Sequence, residues 1–306
     1  MKNILDELKT RLEDDSIERS NYSNSGDICG GFGFESSKHG SMYVKICKEN
    51  YGPTMFEGEF VGLECIKNTN TVLTPKPLLW GKVPLSGDHF LAMEYLDIGG
   101  LGPYSAQLGT ELALMHLSNK SQKSTKVGNS VDVITQFGFP CSTTCGKFAL
   151  SNDWSNDWIS FYASKRLQPQ IEAALPNAGP AKSSMNTNYE LLLRKLPSFF
   201  SNIEIFPSLV HGDLWIGNAG SAKNRPVIFD PSPVYAHYEY EMGIISMFGG
   251  FSNAFFNAYH TKLPKEKGFQ ERYQLYELFH HLNHWNHFGS GYKSSSLRIL
   301  ESLVSP

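Results

Sequence analysis

Short apolar runs broken by polar residues, Gly and Pro fill roughly the first hundred positions of the chain. Residues 41–47 alternate apolar and polar positions and predict a strand, and residues 90–96 predict a second strand. In residues 55–67, apolar side chains recur every three or four positions, which predicts a helix introduced by Pro53. The N-terminal residues 1–15 have the same period and predict an amphipathic helix.

The helical period dominates from about Tyr104 onward. It predicts helices over residues 104–118, 154–168, 188–200, 239–259 and 268–288. Residues 138–146, rich in Gly, Pro, Thr and Cys, predict an irregular loop of undefined role. The change in character predicts an α+β protein of two lobes, with residues 1–97 in an N-terminal lobe and residues 98–306 in a helical C-terminal lobe. The linker between the lobes is expected near residues 97–102.

The composition is that of a globular protein. With 306 residues, 41% hydrophobic and 19% charged, the chain is long enough for two packed lobes. The formal net charge of −3 gives no electrostatic reason to expect a nucleic acid or an anionic membrane surface as partner. No apolar stretch reaches the ~18 residues of a membrane span, and the N-terminus lacks the order of a signal peptide. A cytoplasmic location is therefore the expectation.

The cysteines of the chain number five, which is sparse and odd, and this favours reduced thiols. Cys141 and Cys145 are four positions apart, but no second pair or nearby His accompanies them, which argues against a zinc site. A disulfide between these two residues stays open as an alternative.

The strongest chemical signal is HGDLWIGN in residues 211–218, followed by FDP in residues 229–231. Phosphoryl transfer to a hydroxyl needs a carboxylate for the hydroxyl proton and two further oxygen ligands for Mg²⁺ on the nucleotide phosphates. Asp213 is the predicted catalytic base, and Asn218 and Asp230 are the predicted Mg²⁺ ligands. The five-residue step from Asp to Asn matches the kinase catalytic loop. The joint order and spacing of these residues favour a kinase site over unrelated loop residues. His211 is expected to hold the loop by hydrogen bonding.

Residues upstream supply a nucleotide site in the expected order. Lys45 lies inside an apolar strand, where its charge suits the α- and β-phosphates and a helix carboxylate, although a solvent-facing edge lysine is the alternative. Glu59 is the preferred carboxylate because it shares a helix face with Leu63 and Ile66, whereas Glu57 is expected in solvent.

Two further segments are predicted to contact the nucleotide. The glycine-dense residues 25–33 suit a loop over phosphates, because backbone N–H groups can approach closely there, but a flexible hairpin turn would look the same. Residues 93–97 have the position expected of the interlobe segment that binds the adenine. The predicted nucleotide contacts in the two segments are Gly26, Cys29, Gly30, Gly31, Met93, Glu94, Tyr95 and Leu96.

Several motifs together resemble the fructosamine-3-kinase and ketosamine-3-kinase-related family. Besides HGDLWxGN and FDP, they are MFEGE, EYEMGIISMFGGF, AYH, LNHWNHFGSGY, FGF and NDW, at residues 55–59, 239–251, 258–260, 282–292, 137–139 and 156–158. The resemblance covers nearly the whole chain. It implies a protein-kinase-like fold, close to aminoglycoside and choline kinases, with a small antiparallel sheet lobe carrying one helix and a larger helical lobe.

The resemblance also implies a reaction, in which ATP and Mg²⁺ serve to phosphorylate the third-carbon hydroxyl of the sugar in a ketosamine. The unstable 3-phosphate then breaks down and frees the amine, which amounts to protein deglycation. The family likeness suggests that the NHWNH segment lines the sugar pocket, with His284 as the expected contact. Trp215 offers a flat apolar face beside Asp213 for the sugar. His280, His284 and His287 share a helix face, but nothing around them resembles a zinc motif.

Cys29 lies inside the glycine-dense segment, as it does in several members of the family. A thiol near basic groups and helix ends can be reactive, so one hypothesis is that its oxidation, including to an intermolecular disulfide, disables nucleotide binding. A small buried residue is the equal alternative. The chain is accordingly expected to be a monomer or a redox-linked homodimer.

Three interpretations compete at this point. A ketosamine kinase explains every motif, whereas another small-molecule kinase of the aminoglycoside, choline or homoserine type explains HGDLWxGN but not LNHWNHFG. A pseudokinase that serves as a binding module is disfavoured, because Lys45, Asp213, Asn218 and Asp230 are all present. The sequence does not decide among fructosamines, ribulosamines and psicosamines, or between free and protein-bound adducts.

Overall fold

The computed structural model describes residues 2–25, 29–124 and 133–305. Its first part is a five-stranded antiparallel sheet with the strand order β1-β2-β3-β5-β4. The strands are β1 (Glu18–Ser25), β2 (Gly30–Ser36), β3 (Gly40–Cys47), β4 (Pro77–Lys82) and β5 (His89–Glu94). Both predicted strands are confirmed as β3 and β5, although β5 ends two residues earlier than expected.

Each face of this sheet is covered by a helix. Side chains alternate between the two faces along every strand, so both faces present apolar side chains that a helix can bury. The helices are α1 (Lys2–Leu12) and α2 (Gly52–Asn68). Leu8 of the amphipathic helix α1 packs with Phe90 on one face, and Phe56 of α2 packs with Leu91 on the other. All four side chains are fully buried, so both predicted helices are confirmed.

The second part of the chain is mainly helical. Its α-helices, within the described residues, are α3 (Ser105–Ser124), α4 (Trp158–Tyr162), α5 (Gln168–Ala174), α6 (Lys182–Lys195), α7 (Met242–Ile245), α8 (Asn253–Lys262), α9 (Phe269–Phe288) and α10 (Lys293–Val304). Three antiparallel strand pairs accompany them: β6 (Thr143–Cys145) with β7 (Phe148–Leu150), β8 (Ser208–Val210) with β11 (Val234–Ala236), and β9 (Ala219–Ala222) with β10 (Arg225–Ile228). Within the described ranges, no helix is both long enough and apolar enough to cross a membrane.

One predicted helix, over residues 239–259, is wrong as a continuous element. A short 3₁₀ turn leads into α7, which ends at Ile245, and α8 begins only at Asn253. Gly249 and Gly250 lie between them with φ of 66° and 92°. These left-handed conformations suit glycine and end helical geometry, so the chain turns here instead of continuing.

Other boundaries also differ from the predictions. The helix expected over residues 154–168 begins at Trp158, because the Asp157 side chain accepts a hydrogen bond from the Ser160 N–H and caps it. The loop expected over residues 138–146 is partly wrong, since it contains strand β6 of a hairpin. Helix α10 was not expected from the pattern at all, and it packs against α6 and α9.

Candidate active site

The three predicted catalytic and metal-binding residues lie at one end of the short strand pairs. Strand β8 leads into the loop that carries Asp213, and the loop ends with Asn218 just before β9. The hairpin of β9 and β10 then returns the chain, so that Asp230 follows β10 at the same end. Asn218 joins the segments, because its Nδ2 donates to the Asp213 carbonyl at 2.8 Å and its own carbonyl accepts from the Phe229 N–H at 3.1 Å.

Asp230 has an unusual backbone conformation. Its φ is 58°, in the left-handed region, which Asp and Asn adopt more readily than other residues with a side chain. Its side chain is 44% exposed, and one carboxylate oxygen lies 2.5 Å from the Lys45 Nζ. With this backbone conformation, the carboxylate of Asp230 reaches across the cleft to Lys45 of the sheet.

Lys45 also contacts the carboxylate that was predicted as its partner. Its Nζ lies 2.6 Å from Glu59 Oε1, and both side chains are nearly buried. Burial alone would lower the pKa of Lys45, but the charges of Asp230 and Glu59 raise it overall. Burial raises the pKa of Glu59 to about 7, against the opposing effect of Lys45. The ammonium group thus lies between two carboxylates, one from each part of the molecule.

Burial also acts on Asp213, and it raises the pKa of this carboxyl to about 8. The negative charges of Asp230 and Glu241 act in the same direction and are smaller contributions to that value. A cation held at Asp230 would oppose this effect. The atoms at the site that could bind a metal ion are carboxylate and amide oxygens. Because Asn218 Nδ2 donates its hydrogen bond to the protein backbone, Asn218 Oδ1 is available as a metal ligand. These hard oxygen donors fit Mg²⁺, which keeps several waters and phosphate oxygens in its shell.

A cleft between the sheet and the helical part brings most of the predicted residues together. The predicted site residues along its walls are Cys29, Lys45, Glu59, Met93, Glu94, Tyr95, Leu96, Asp213, Trp215, Asn218 and Asp230. Gly30 and Gly31 begin strand β2, with Gly31 opposite Lys45, so this half of the glycine-dense segment is strand and not loop. Gly26 lies outside the described residues.

The thiol of Cys29 is not activated by its surroundings. Cys29 is half-buried beside Cys47, and burial raises the pKa of its thiol well above the usual value, with Cys47 acting in the same direction. Lys45 opposes this shift but is outweighed. This pKa shift favours the alternative of a small, partly buried residue, and oxidation of Cys29 stays an untested hypothesis. All five cysteines are described, and each is a free thiol, including Cys141 and Cys145.

The two predicted sugar-binding residues lie on one aromatic wall. Trp215 and His284 both contact Phe248, with ring centroids 5.5 Å and 5.2 Å away, respectively. His284 Nδ1 must donate to the His280 carbonyl, 2.8 Å away, so its Nε2 is the acceptor nitrogen. Burial lowers the pKa of His284, which favours this neutral form. The sequence analysis missed Phe248, whose place depends on the break in the chain after α7.

Glu241 is a second residue that the sequence analysis missed. It is completely buried, and its carboxylate accepts hydrogen bonds from the backbone N–H groups of His211 and Gly212 at 2.6 and 2.9 Å. Burial alone would raise the pKa of Glu241, but His116 and the His211 amide outweigh it and lower the pKa. His211 Nε2 in turn donates to the Phe229 carbonyl at 2.8 Å, which is the loop-holding contact expected of this histidine. An acidic residue inside the apolar run EYEMGII is the signal that could have found Glu241.

A small sheet whose lysine pairs with a glutamate of the adjoining helix, set over a helical part with an Asp and Asn loop, defines a phosphotransferase of the protein-kinase-like fold. Solved structures agree with this class. A protein assigned as a fructosamine-3-kinase from Thermobifida fusca has a TM-score of 0.79 at 22% identity, covering 99% of both chains. Aminoglycoside phosphotransferase APH(4)-Ia has a TM-score of 0.60 at 12% identity, covering 99% of this chain and 98% of its own. The predicted fold class is confirmed.

Sequence comparison narrows the class. The fructosamine kinase family model matches residues 1–306. The chain is 41% identical to a mouse protein named ketosamine-3-kinase, over 97% of this chain and 98% of that protein. It is 40% identical to the Arabidopsis thaliana chloroplastic protein-ribulosamine 3-kinase, over 86% and 76% of the respective chains. The chain belongs to the fructosamine kinase family, as its motifs predicted.

Proposed function

We propose that this protein is an ATP-dependent kinase that phosphorylates the 3-hydroxyl of the sugar in ketosamines. The observation that carries the proposal is the convergence of Asp213, Asn218, Asp230 and Lys45 on one cleft whose wall also holds Trp215. The names of the mouse and Arabidopsis relatives, a ketosamine-3-kinase and a protein-ribulosamine 3-kinase, support the substrate class. Breakdown of the 3-phosphate would then free the amine, so the activity would amount to deglycation.

In this proposal, each predicted residue has a separate task. The Asp213 carboxylate orients the acceptor hydroxyl and accepts its proton, and Lys45, held by Glu59, binds the α- and β-phosphates. Asn218 and Asp230 hold Mg²⁺, which when bound balances the phosphate charge and offsets the charge of Asp230 near Asp213.

Nucleotide binding falls to the first lobe, residues 1–97, and acceptor binding to the lobe of residues 98–306. The segment of residues 93–96 contacts the base, and the glycine-dense segment with Cys29, Gly30 and Gly31 covers the phosphates. Trp215 and His284 contact the sugar. Support for this division comes from the cleft, which residues 93–96 and Trp215 both line, and from Phe248, which contacts both Trp215 and His284.

The substrate class is tested by measuring ATP consumption with N-fructosyl, N-ribulosyl and N-psicosyl amines, with choline and an aminoglycoside as comparison acceptors. We expect kcat/KM for at least one ketosamine to exceed that for choline by a factor of ~10⁴, since a site that hydrogen-bonds sugar hydroxyls strongly rejects a compound that lacks them. The aminoglycoside has sugar hydroxyls but no ketosamine group, and its kcat/KM should also be lower than that for the ketosamine. A ketosamine methylated on its 3-oxygen should not be phosphorylated. Turnover of choline or the aminoglycoside alone would overturn the proposed substrate.

Replacement of Lys45 by Met should lower kcat/KM for ATP about a hundredfold or more. The change removes the cation that would bind the phosphates, and it leaves the buried Glu59 without its partner. Initial-rate kinetics with varied ATP provide the measurement. Lys82→Met is the matched control, because Lys82 is an exposed residue at the end of β4, and it should change kcat/KM by less than about twofold. Equal effects of the two substitutions would remove Lys45 from the nucleotide site.

A further inference from the structure

The hairpin of β6 and β7 has no part in the function described so far, although it borders the same cleft. Thr143, Thr144 and Gly146 lie along the cleft together with Asp213 and Trp215. The hairpin therefore forms a wall of the cleft near the catalytic carboxylate. This wall belongs to the stretch whose role the sequence left undefined.

The base of the hairpin is fixed on both sides. Thr143 packs against helix α2 so closely that a Cβ at Gly58, next to Glu59, would lie 3.0 Å from the threonine methyl group. Asn152 Nδ2 donates to the Thr143 hydroxyl at 3.0 Å, and Asn152 Oδ1 accepts from buried Arg166 at 2.6 Å. This end of the hairpin is a rigid part of the fold.

The tip of the hairpin is held in place by contacts with helix α9. His287 Nε2 lies 2.7 Å from the Lys147 N–H, and the His287 ring packs edge-on against Phe148 with centroids 4.6 Å apart. Gly146 turns the hairpin with φ of 63°, and a Cβ there would lie 2.5 Å from His287 Nε2. One turn earlier on α9, Asn283 Nδ2 lies 3.1 Å from the Cys145 sulfur. The histidine is therefore the main polar contact of the tip.

The protonation state of His287 follows from its two partners, because both are backbone groups of fixed polarity. Its Nδ1 lies 2.7 Å from the Asn283 carbonyl, which can only accept, so Nδ1 carries a proton. Its Nε2 faces the Lys147 N–H, which can only donate, so Nε2 carries none. Protonation of Nε2 would set two N–H groups against each other and break the contact.

We propose that neutral His287 is a positioning residue that holds the tip of the 143–150 hairpin at the acceptor end of the cleft, so that ketosamine binding weakens when His287 is protonated. This inference rests on the proposed function for its substrate. Its structural part is the hydrogen bond that the Lys147 N–H donates to His287 Nε2, which we call the hold of His287 on Lys147. This contact does not depend on any activity.

The charged and titratable groups around His287 determine the pH range in which it becomes protonated. Burial lowers the pKa of His287 below its ordinary value of 6.5, and Lys147 on the hairpin lowers it further, while the Asn283 carbonyl opposes them. His284, one turn away on the same helix, is a further titratable group that interacts with it. A histidine with a lowered pKa is neutral above its ordinary pKa and gains its proton as the pH falls through the lowered one. The hold is therefore complete above pH ~6.5 and is lost in more acidic solution.

Two substitutions of His287 distinguish the loss of its hydrogen-bond acceptor from the gain of its positive charge. His287→Phe keeps a ring against Phe148 but cannot accept the Lys147 N–H, and we expect it to raise KM for the ketosamine about tenfold while KM for ATP changes less than twofold. His287→Gln keeps a neutral acceptor, and it should be close to wild type at pH 7.5. As the pH is lowered from 7.5 to the lowest pH at which both proteins stay folded, wild type should lose ketosamine affinity that His287→Gln retains. Identical pH profiles for these two proteins would overturn the proposal.

Hydrogen exchange at the Lys147 amide gives a readout without turnover. We expect exchange at least tenfold faster in His287→Phe than in wild type at pH 7.5, with His287→Gln near wild type. Unchanged exchange in His287→Phe would overturn the hold itself. Faster exchange with an unchanged ketosamine KM would overturn its role in acceptor binding. If wild type turned over no ketosamine, the proposed function would fail, while the exchange rates would still test the hold.

Discussion

Replacement of Asp213 by Asn should lower kcat at least a thousandfold while the affinity for ATP changes by less than about threefold. The amide has the same shape as the carboxylate but cannot accept the proton of the acceptor hydroxyl. Lys45 and Asp230 contact each other without help from the Asp213 side chain, so the nucleotide end of the cleft should be preserved. Steady-state turnover with a ketosamine and equilibrium titration with a nonhydrolysable ATP analogue measure the two quantities.

Asp6→Asn is the matched control for this prediction, since Asp6 is an exposed residue of α1, on the far side of the sheet from α2. It should leave kcat and ATP affinity within a factor of two. A kcat for Asp213→Asn within tenfold of wild type would show that the base is assigned wrongly. Loss of ATP binding together with turnover would instead assign Asp213 to the nucleotide.

Replacement of Arg272 by Met should reduce the free energy of unfolding by about 3–5 kcal/mol. Arg272 at the start of α9 and Glu239 form a bidentate ion pair, with Nε to Oε2 at 2.6 Å and Nη2 to Oε1 at 2.9 Å. Both residues are at most 1% exposed. Methionine would leave the carboxylate buried without its partner, and it would also remove the hydrogen bonds that Arg272 donates to the Phe199 and Lys267 carbonyls.

Urea unfolding measures this loss, and two controls give it meaning. Arg298→Met removes an exposed arginine from α10 and should change the free energy of unfolding by less than about 0.5 kcal/mol. The double variant Glu239→Leu with Arg272→Met removes both charges and should recover much of the stability. A loss below about 1 kcal/mol for Arg272→Met alone would contradict the prediction.

The ion pair also bears on catalysis, because it anchors the segment that positions the catalytic loop. Glu239 belongs to the same short turn as Glu241, whose carboxylate holds the backbone of His211 and Gly212. A destabilised Arg272→Met protein should therefore lose turnover before it unfolds completely. This links a contact at the start of α9 to the base at Asp213.

Most of the candidate site could be predicted because its functional residues form recognisable patterns within short segments of the sequence. The spacing from Asp213 to Asn218 is a local property of one loop, and Lys45 stands out as a charge inside an apolar strand. The helix face shared by Glu59 with apolar residues identified it correctly as the partner of Lys45. The sequence analysis missed Phe248 and Glu241 because each acts on a residue about 30 positions earlier in the chain.

The amino-acid sequence by itself determined the period of each long element, the order of the kinase motifs and the family. These depend on neighbours a few positions apart, where side-chain spacing and local backbone preferences act directly. Only the tertiary structure decided where the helix after residue 239 breaks, which carboxylate holds the catalytic loop, and that His287 contacts a backbone amide 140 positions away. Such contacts follow from how the elements pack together, because no local pattern records which distant surface a side chain will meet.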